Sequence, residues 1–324
     1  MKYRALGRSG LTVSEIGFGA WGIGGRTVST TSYGETEDAT SLAALRRAAD
    51  CGITFFDTSV AYGNGHSEEL IGRAFAGDRS KVVIATKAGY DSWDRPPDFS
   101  PAAIVRSAEG SLARLGTDYL DLFQLHNPPV DVLKSEEVRV ALAGLRAAGK
   151  IRAWGVSAKS PADALEALRT AEPDAIQANF NMMDVRVVDS GLLDDAARRG
   201  VGFIGRTPLC FGFLSGTIRR DTAFPPGDHR LGWSREQLDT WIDGAADLLV
   251  AVSSRPGSEG AQSALRFCLS FPALSCTIPG ILTPAEAEAN AGASEPGPLA
   301  PAAVEAVMAI NRRRRFFVTS PRPS

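Results

Sequence analysis

The chain has no run of apolar residues approaching the roughly 18–20 needed to cross a bilayer as a helix, so no membrane-spanning segment and no membrane partner is expected. It has little cysteine: four residues, Cys51, Cys210, Cys268 and Cys276, in a chain of 324. No two stand in C-x-x-C spacing and none neighbours a histidine in a metal-ligand pattern. No metal site is therefore expected, and free thiols in a reducing compartment are the default. The opening "MKYRALGRSG" lacks the apolar core of a secretory signal, so the expected location is cytoplasmic. An excess of one charge is also missing. Lys plus Arg number 35 and Asp plus Glu 37, a formal net charge of −2. That argues against a general polyanion binder and leaves small anionic ligands open; no nucleic-acid partner is expected. The one basic run, at 312–315, fits a solvated helix end. The glycine-rich "GFGAWGIGG" is not a G-x-G-x-x-G opening a helix, which sets aside a doubly wound dinucleotide fold.

What is present is an alternation. Eight short apolar, β-branched segments can be read: "VSEIGFG" from Val13, "ITFFDTS" from Ile53, "VVIATK" from Val82, "YLDLFQLH" from Tyr119, "IRAWGVS" from Ile151, "AIQANFN" from Ala175, "VGFIGRTPL" from Val201 and "LSCTIPG" from Leu274. Between them lie stretches with helical periodicity, at 38–50, 67–76, 101–115, 136–148, 161–170 and 191–199. Two open on Ser-Pro, at 100–101 and 160–161, a capping residue followed by proline in the first turn. With no composition break, this pattern predicts an α/β fold: one (β/α)8 TIM barrel domain over residues 1–324. Two parts stand outside it. The N-terminal "MKYRALGRSGLTVS" reads as a β-hairpin turning at Ser9-Gly10 and covering the barrel bottom. The segment "SGTIRRDTAFPPGDHRLGWS" reads as a long substrate loop after strand seven.

Active sites of such barrels lie at the C-terminal strand ends. Strand two ends on Asp57, with Tyr62 in its loop; strand three ends on Lys87 and strand four on His126. Each alone has a plain explanation: a cap, a loop filler, a solvated amine, a core histidine. Four ionisable groups of four kinds at the mouth of three adjacent strands are harder to assign to chance. A phenol, with an unperturbed pKa of about 10, suits protonation of a developing alkoxide, and an adjacent ammonium brings it closer to working pH. Lys87 would supply the ammonium, Asp57 its counter-charge, and His126 a hydrogen bond to orient a carbonyl. No side chain donates hydride, so a cofactor is required. Trp21 and Trp93 are candidate pocket walls, and His229 in "PPGDHRLGW" is a candidate substrate contact.

Taken together, "YRALGRSGLTVSEIGFGAWGIG", "GITFFDTSVAYGNGHSEELIGRAF", "VVIATK", "RLGTDYLDLFQLHNP", "GKIRAWGVS", "AIQANFN" and "CTIPG" resemble the aldo-keto reductase family over nearly the whole chain. The resemblance implies a barrel that binds NADPH extended, without a Rossmann fold, and reversible reduction of a small-molecule carbonyl. It implies Tyr62 as general acid, Asp57 and Lys87 as its tuners, and His126 as the carbonyl's orienter. For the cofactor it implies contacts from Trp21, Asp57, Ser157, Gln177, Arg206, Thr207, Leu209, Gly212, Gly280 and Asn290. Three departures matter. An Asn that commonly follows Ser157 is Ala158, and the aromatic common at the end of strand seven is Arg206, whose planar guanidinium can still stack. Basic residues expected around the 2′-phosphate are replaced by Ile281, Leu282 and Glu286, so NADH is a possible cofactor besides NADPH. Some family members are cofactor-holding regulatory subunits of membrane channels, an alternative the four residues do not exclude. A Schiff-base barrel using Lys87 as nucleophile is a further alternative. A monomer or weak homo-oligomer is expected.

Overall fold

The computed structural model describes residues 1–27 and 31–318. A hairpin comes first: β1 (Tyr3–Ala5) pairs antiparallel with β2 (Thr12–Ser14). Eight parallel strands follow: β3 (Phe18–Gly19), β4 (Phe55–Asp57), β5 (Val83–Ala88), β6 (Leu120–His126), β7 (Ile151–Ser157), β8 (Ala175–Asn179), β9 (Gly202–Arg206) and β10 (Leu274–Ile278). They form one sheet in sequential order, and the Gly17 and Gly19 amides, donating to the Thr277 and Pro279 carbonyls, bring its two edges together. The result is the expected (β/α)8 barrel. Its strands read as continuous apolar runs because both faces are covered; β6 is buried at every residue.

Three helix starts are set locally. Ser100, Ser135 and Ser160 cap their helices by accepting from the amide three residues on, and Pro101 and Pro161 fill the first helical position. The hairpin closes the bottom: Leu6, Leu11 and Val13 are buried against Phe55, Leu122 and Ile204 of the strands. The Ser9-Gly10 turn is a 3-10 turn over Gly7–Ser9, with Gly10 in the left-handed region at φ 76°.

One expectation needs correction. "VSEIGFG" is not one strand: Val13 belongs to the hairpin, and the barrel strand is only Phe18–Gly19. The chain bends between them because Ser14 bonds locally, donating to the Ile16 carbonyl at 2.7 Å and accepting from the Thr54 amide at 2.9 Å. Side-chain bonding of this kind competes with a strand ladder. Beyond the six expected helices, Arg235–Ala251 and Ser258–Leu269 lie between β9 and β10. Trp241, Leu248 and Leu265 bury their inner faces in the main core. The cysteines are free, three of them buried, and burial pushes the Cys210, Cys268 and Cys276 thiols up, away from reactive thiolate.

Candidate active site

Strand register decides which side chains meet. Asp57 pairs with Ala85, Lys87 with Gln124, His126 with Ser157, and Ser157 with Gln177. The strand ends therefore form one continuous arc at the barrel mouth. Lys87 is its hub and is fully buried. Its ammonium donates to Asp57 Oδ1 at 2.5 Å, to the Thr58 carbonyl at 2.8 Å and to the Tyr62 hydroxyl oxygen at 3.1 Å. Those are the three N–H bonds an ammonium has. Burial opposes the charge on Lys87, but Asp57 and Tyr62 outweigh it and leave the pKa raised. A protonated amine with every N–H in use is a poor nucleophile, which disfavours the Schiff-base alternative.

The second oxygen of Asp57 accepts from Gln177 Nε2 at 2.8 Å and from Gln124 Nε2 at 3.0 Å, and the Ser157 hydroxyl donates to Gln177 Oε1 at 3.1 Å. Gln124 was not among the expected site residues. It stands two residues before His126, on the same strand face, and that period-two spacing is the signal that points to it.

Tyr62 is held from behind. Gly63 lies at φ 65°, and a Cβ there would be 2.0 Å from the Gly24 carbonyl oxygen. Only glycine permits this contact between the loops after β4 and β3. Because Lys87 donates to the phenol oxygen, the phenol's own proton points elsewhere. His126 stands edge-on to Tyr62, ring centres 6.1 Å apart, with Nδ1 3.4 Å from the Ser59 hydroxyl. Burial, reinforced by Lys87 and Arg206, pushes its pKa well below the usual histidine value, so at neutral pH it is an uncharged imidazole. Trp93 packs against His126 at 5.2 Å, with its indole N–H buried and unpartnered.

Of the expected cofactor residues, Ser157 and Gln177 are buried in this arc, and Arg206 lies at its β9 end, bonded from Nη2 to the Ala158 carbonyl at 3.1 Å. Thr207 and Phe211 adopt left-handed conformations at φ 54° and 56°, with Leu209 and Gly212 in the same loop. Strain of this kind persists at ligand-holding segments. A Cβ on Gly280 would meet nothing within 4 Å, so the backbone there borders open space. Asn290 is buried on the helix Pro284–Ala291.

Trp21 and Trp93 belong to different aromatic groups. Trp21 packs with Tyr33 at 5.0 Å and His229 at 4.8 Å, and His229 with Phe211 at 5.2 Å and Trp233 at 5.0 Å. This cluster joins the loop after β3 to the loop after β9, helped by the His229 amide donating to the Ser32 carbonyl at 2.8 Å. Beside His229, Asp228 takes the Arg230 guanidinium at 2.7 Å. Burial lowers the His229 pKa to about 4, with Asp228 opposing and Arg230 adding to the shift. An unfolded histidine takes a proton near pH 6.5, so below that value the unfolded chain binds more protons and stability falls with pH. By about pH 4.5 this residue alone accounts for a loss of about 2–3 kcal/mol. Urea unfolding at pH 7 and 4.5 checks it: His229→Phe is expected to flatten the loss by about that amount, whereas equal losses in both proteins would contradict the assignment.

The aldo/keto reductase family profile matches residues 15–312. The chain belongs to the aldo/keto reductase family. Over 298 residues it is 33% identical to the aldo-keto reductase YhdN of Bacillus subtilis, covering 89% of this chain and 87% of that one. A probable voltage-gated potassium channel subunit beta of Oryza sativa is 31% identical over 86% of this chain and 87% of its own. Among solved structures, the glycerol dehydrogenase AKR11B4 of Gluconobacter oxydans superposes with a TM-score of 0.79 at 26% identity over 98% of both chains. The protein is an oxidoreductase, and the reaction class of its family is carbonyl reduction with a nicotinamide cofactor. Among the described residues no helix is long and apolar enough to cross a membrane.

Proposed function

We propose that the protein reversibly reduces an aldehyde or ketone, with NADPH or NADH as cofactor and Tyr62 as proton donor. The observation that carries this reading is the Lys87 ammonium shared between Asp57 and the Tyr62 oxygen beside an uncharged His126. When bound, a reduced nicotinamide supplies the hydride that no side chain can. His126 orients the carbonyl oxygen as a neutral donor. Tyr62 gives its proton to the oxygen as negative charge builds there, and Lys87 stabilises the phenolate left behind. Asp57 keeps Lys87 charged and in place, and Gln124 holds Asp57.

The residues present fit a nicotinamide carboxamide. Its amino group needs acceptors, and the Ser157 hydroxyl and the second lone pair of Gln177 Oε1 offer them. Its oxygen needs a donor, and Arg206 Nε is buried without a partner. Thr207, Leu209 and Gly212 are assigned to the pyrophosphate, Trp21 and Gly280 to the cofactor groove, Asn290 to the adenine, and Trp93 with His229 to the substrate side.

Selection for the 2′-phosphate is proposed to be weak. Glu286 sits beside the segment assigned to the adenosine ribose, and its carboxylate accepts from the Leu282 amide at 2.6 Å and the Thr283 amide at 3.2 Å. An anion thus already takes the backbone donors a phosphate would seek. Nicotinamide absorbance, followed across a panel of aldehydes, ketones and keto-sugars with each cofactor, tests both points. Turnover is expected, with kcat/KM for NADH within about tenfold of that for NADPH. A preference of about a thousandfold for NADPH would overturn the weak selection. Absence of turnover with tight cofactor binding would favour the regulatory-subunit reading, which the similarity to channel beta subunits supports.

A further inference from the structure

Arg206 is the charged group of the site that the proton-transfer machinery does not use. It ends β9, in register with Asn179 of β8, and its Nη2 is tied to the carbonyl of Ala158, the residue after Ser157. The guanidinium is thereby anchored beside Ser157 and Gln177. Its Nε–H, buried and unpartnered, remains to be used. Among the described residues no carboxylate forms an ion pair with Arg206. The other charges at the mouth, Lys87 and Asp57, neutralise one another at 2.5 Å, and His126 is uncharged. The site therefore carries one unbalanced positive charge, at Arg206. An arginine does not lose its proton in a protein, so that charge is permanent.

We propose that Arg206 both donates to the nicotinamide carboxamide, in place of a side chain that Ala158 lacks, and makes the site bind reduced cofactor in preference to oxidised. This rests on the nicotinamide reading above. The physical reason is charge. A reduced nicotinamide ring is neutral and an oxidised one carries a positive charge. In a buried site the repulsion between two like charges is poorly screened. A guanidinium beside the ring raises the free energy of the oxidised complex and leaves that of the reduced complex nearly unchanged. A neutral aromatic at the same place stacks on both forms with no such bias. The consequence is fast release of oxidised cofactor and weak inhibition by it during carbonyl reduction.

Equilibrium binding tests this without turnover. Dissociation constants for NADH and NAD+ are measured by quenching of tryptophan fluorescence at pH 7. The proteins are the wild type, Arg206→Gln, Arg206→Tyr and Arg206→Lys, each first checked for a cooperative thermal transition. The ratio Kd(NAD+)/Kd(NADH) is expected to fall at least tenfold in Arg206→Gln and Arg206→Tyr. In Arg206→Lys, which keeps the charge and loses the planar donor, most of the ratio should survive while both affinities weaken. A ratio within twofold of wild type in both neutral variants would overturn the proposal, even if both affinities dropped, because a contact indifferent to redox state would then explain the residue. If the wild type bound none of NADH, NAD+, NADPH and NADP+, the nicotinamide reading itself would fail and this inference with it; if it bound only the phosphorylated pair, the same ratio is read with NADP+ and NADPH.

Discussion

Tyr62→Phe is expected to lower kcat for carbonyl reduction by about 10²–10⁴-fold, the usual contribution of a positioned general acid. The substitution removes one oxygen and little else. The ring keeps its place, because its backbone is fixed by the contact between Gly63 and Gly24 and its edge by His126. Lys87 loses one of three acceptors and keeps Asp57 and the Thr58 carbonyl. The cost in stability should therefore stay near about 1 kcal/mol, the scale of one hydrogen bond. Cofactor affinity should hardly change, since none of the proposed cofactor contacts is the phenol. The signature is a loss confined to kcat, with dissociation constants and unfolding midpoints near wild type. Reduction at close to the wild-type rate would place the acid elsewhere, with His126 the next residue to examine.

Lys87→Met is expected to lose activity on the same scale, about 10²–10⁴-fold, and also to lose stability. Lys87 and Asp57 are 0% and 2% exposed, and a buried pair broken on one side leaves an uncompensated charge. That costs about 3–5 kcal/mol in general; the two glutamine amides that remain on Asp57 place the value here toward the lower end. Urea unfolding of Lys87→Met, Asp57→Asn and the double variant separates charge from packing. The double variant should be more stable than Lys87→Met, because the stranded carboxylate is gone. Additive losses would mean that the two residues act independently, against the shared hub described above.

The barrel was legible because its strands are buried on both faces and alternate with periodic helices, two of which open on Ser-Pro. The meeting of Asp57, Lys87 and His126 at one mouth was legible for a related reason. Topology, not side-chain packing, brings consecutive strand ends side by side, so Asp57, Lys87 and His126 could be placed together before any distance was known. Gln124 was less legible because it is a neutral amide inside β6, on the same face as the ionisable His126 that ends the strand. The split of "VSEIGFG" turns on Ser14 bonding the backbone locally, which apolar patterning does not register. Glu286 belongs to a capping-box sequence, Thr283-Pro284-Ala285-Glu286, and the box forms. The cluster of Trp21, Tyr33, Phe211, His229 and Trp233 draws on two loops far apart in the chain. No local rule joins them, which is also why this cluster is less legible than the arc of strand ends.

The central claim is that hydride reaches a carbonyl carbon at this mouth while Tyr62 supplies the proton. The most direct measurement is a single turnover with nicotinamide cofactor deuterated at the transferable position and a carbonyl taken from the screen. The account predicts deuterium on the carbinol carbon of the product for the wild type, and almost none over the same time for Tyr62→Phe loaded with the same cofactor. Cofactor bound at full occupancy with no deuterium transferred by the wild type to any carbonyl, or transfer at equal rates by both proteins, would contradict it.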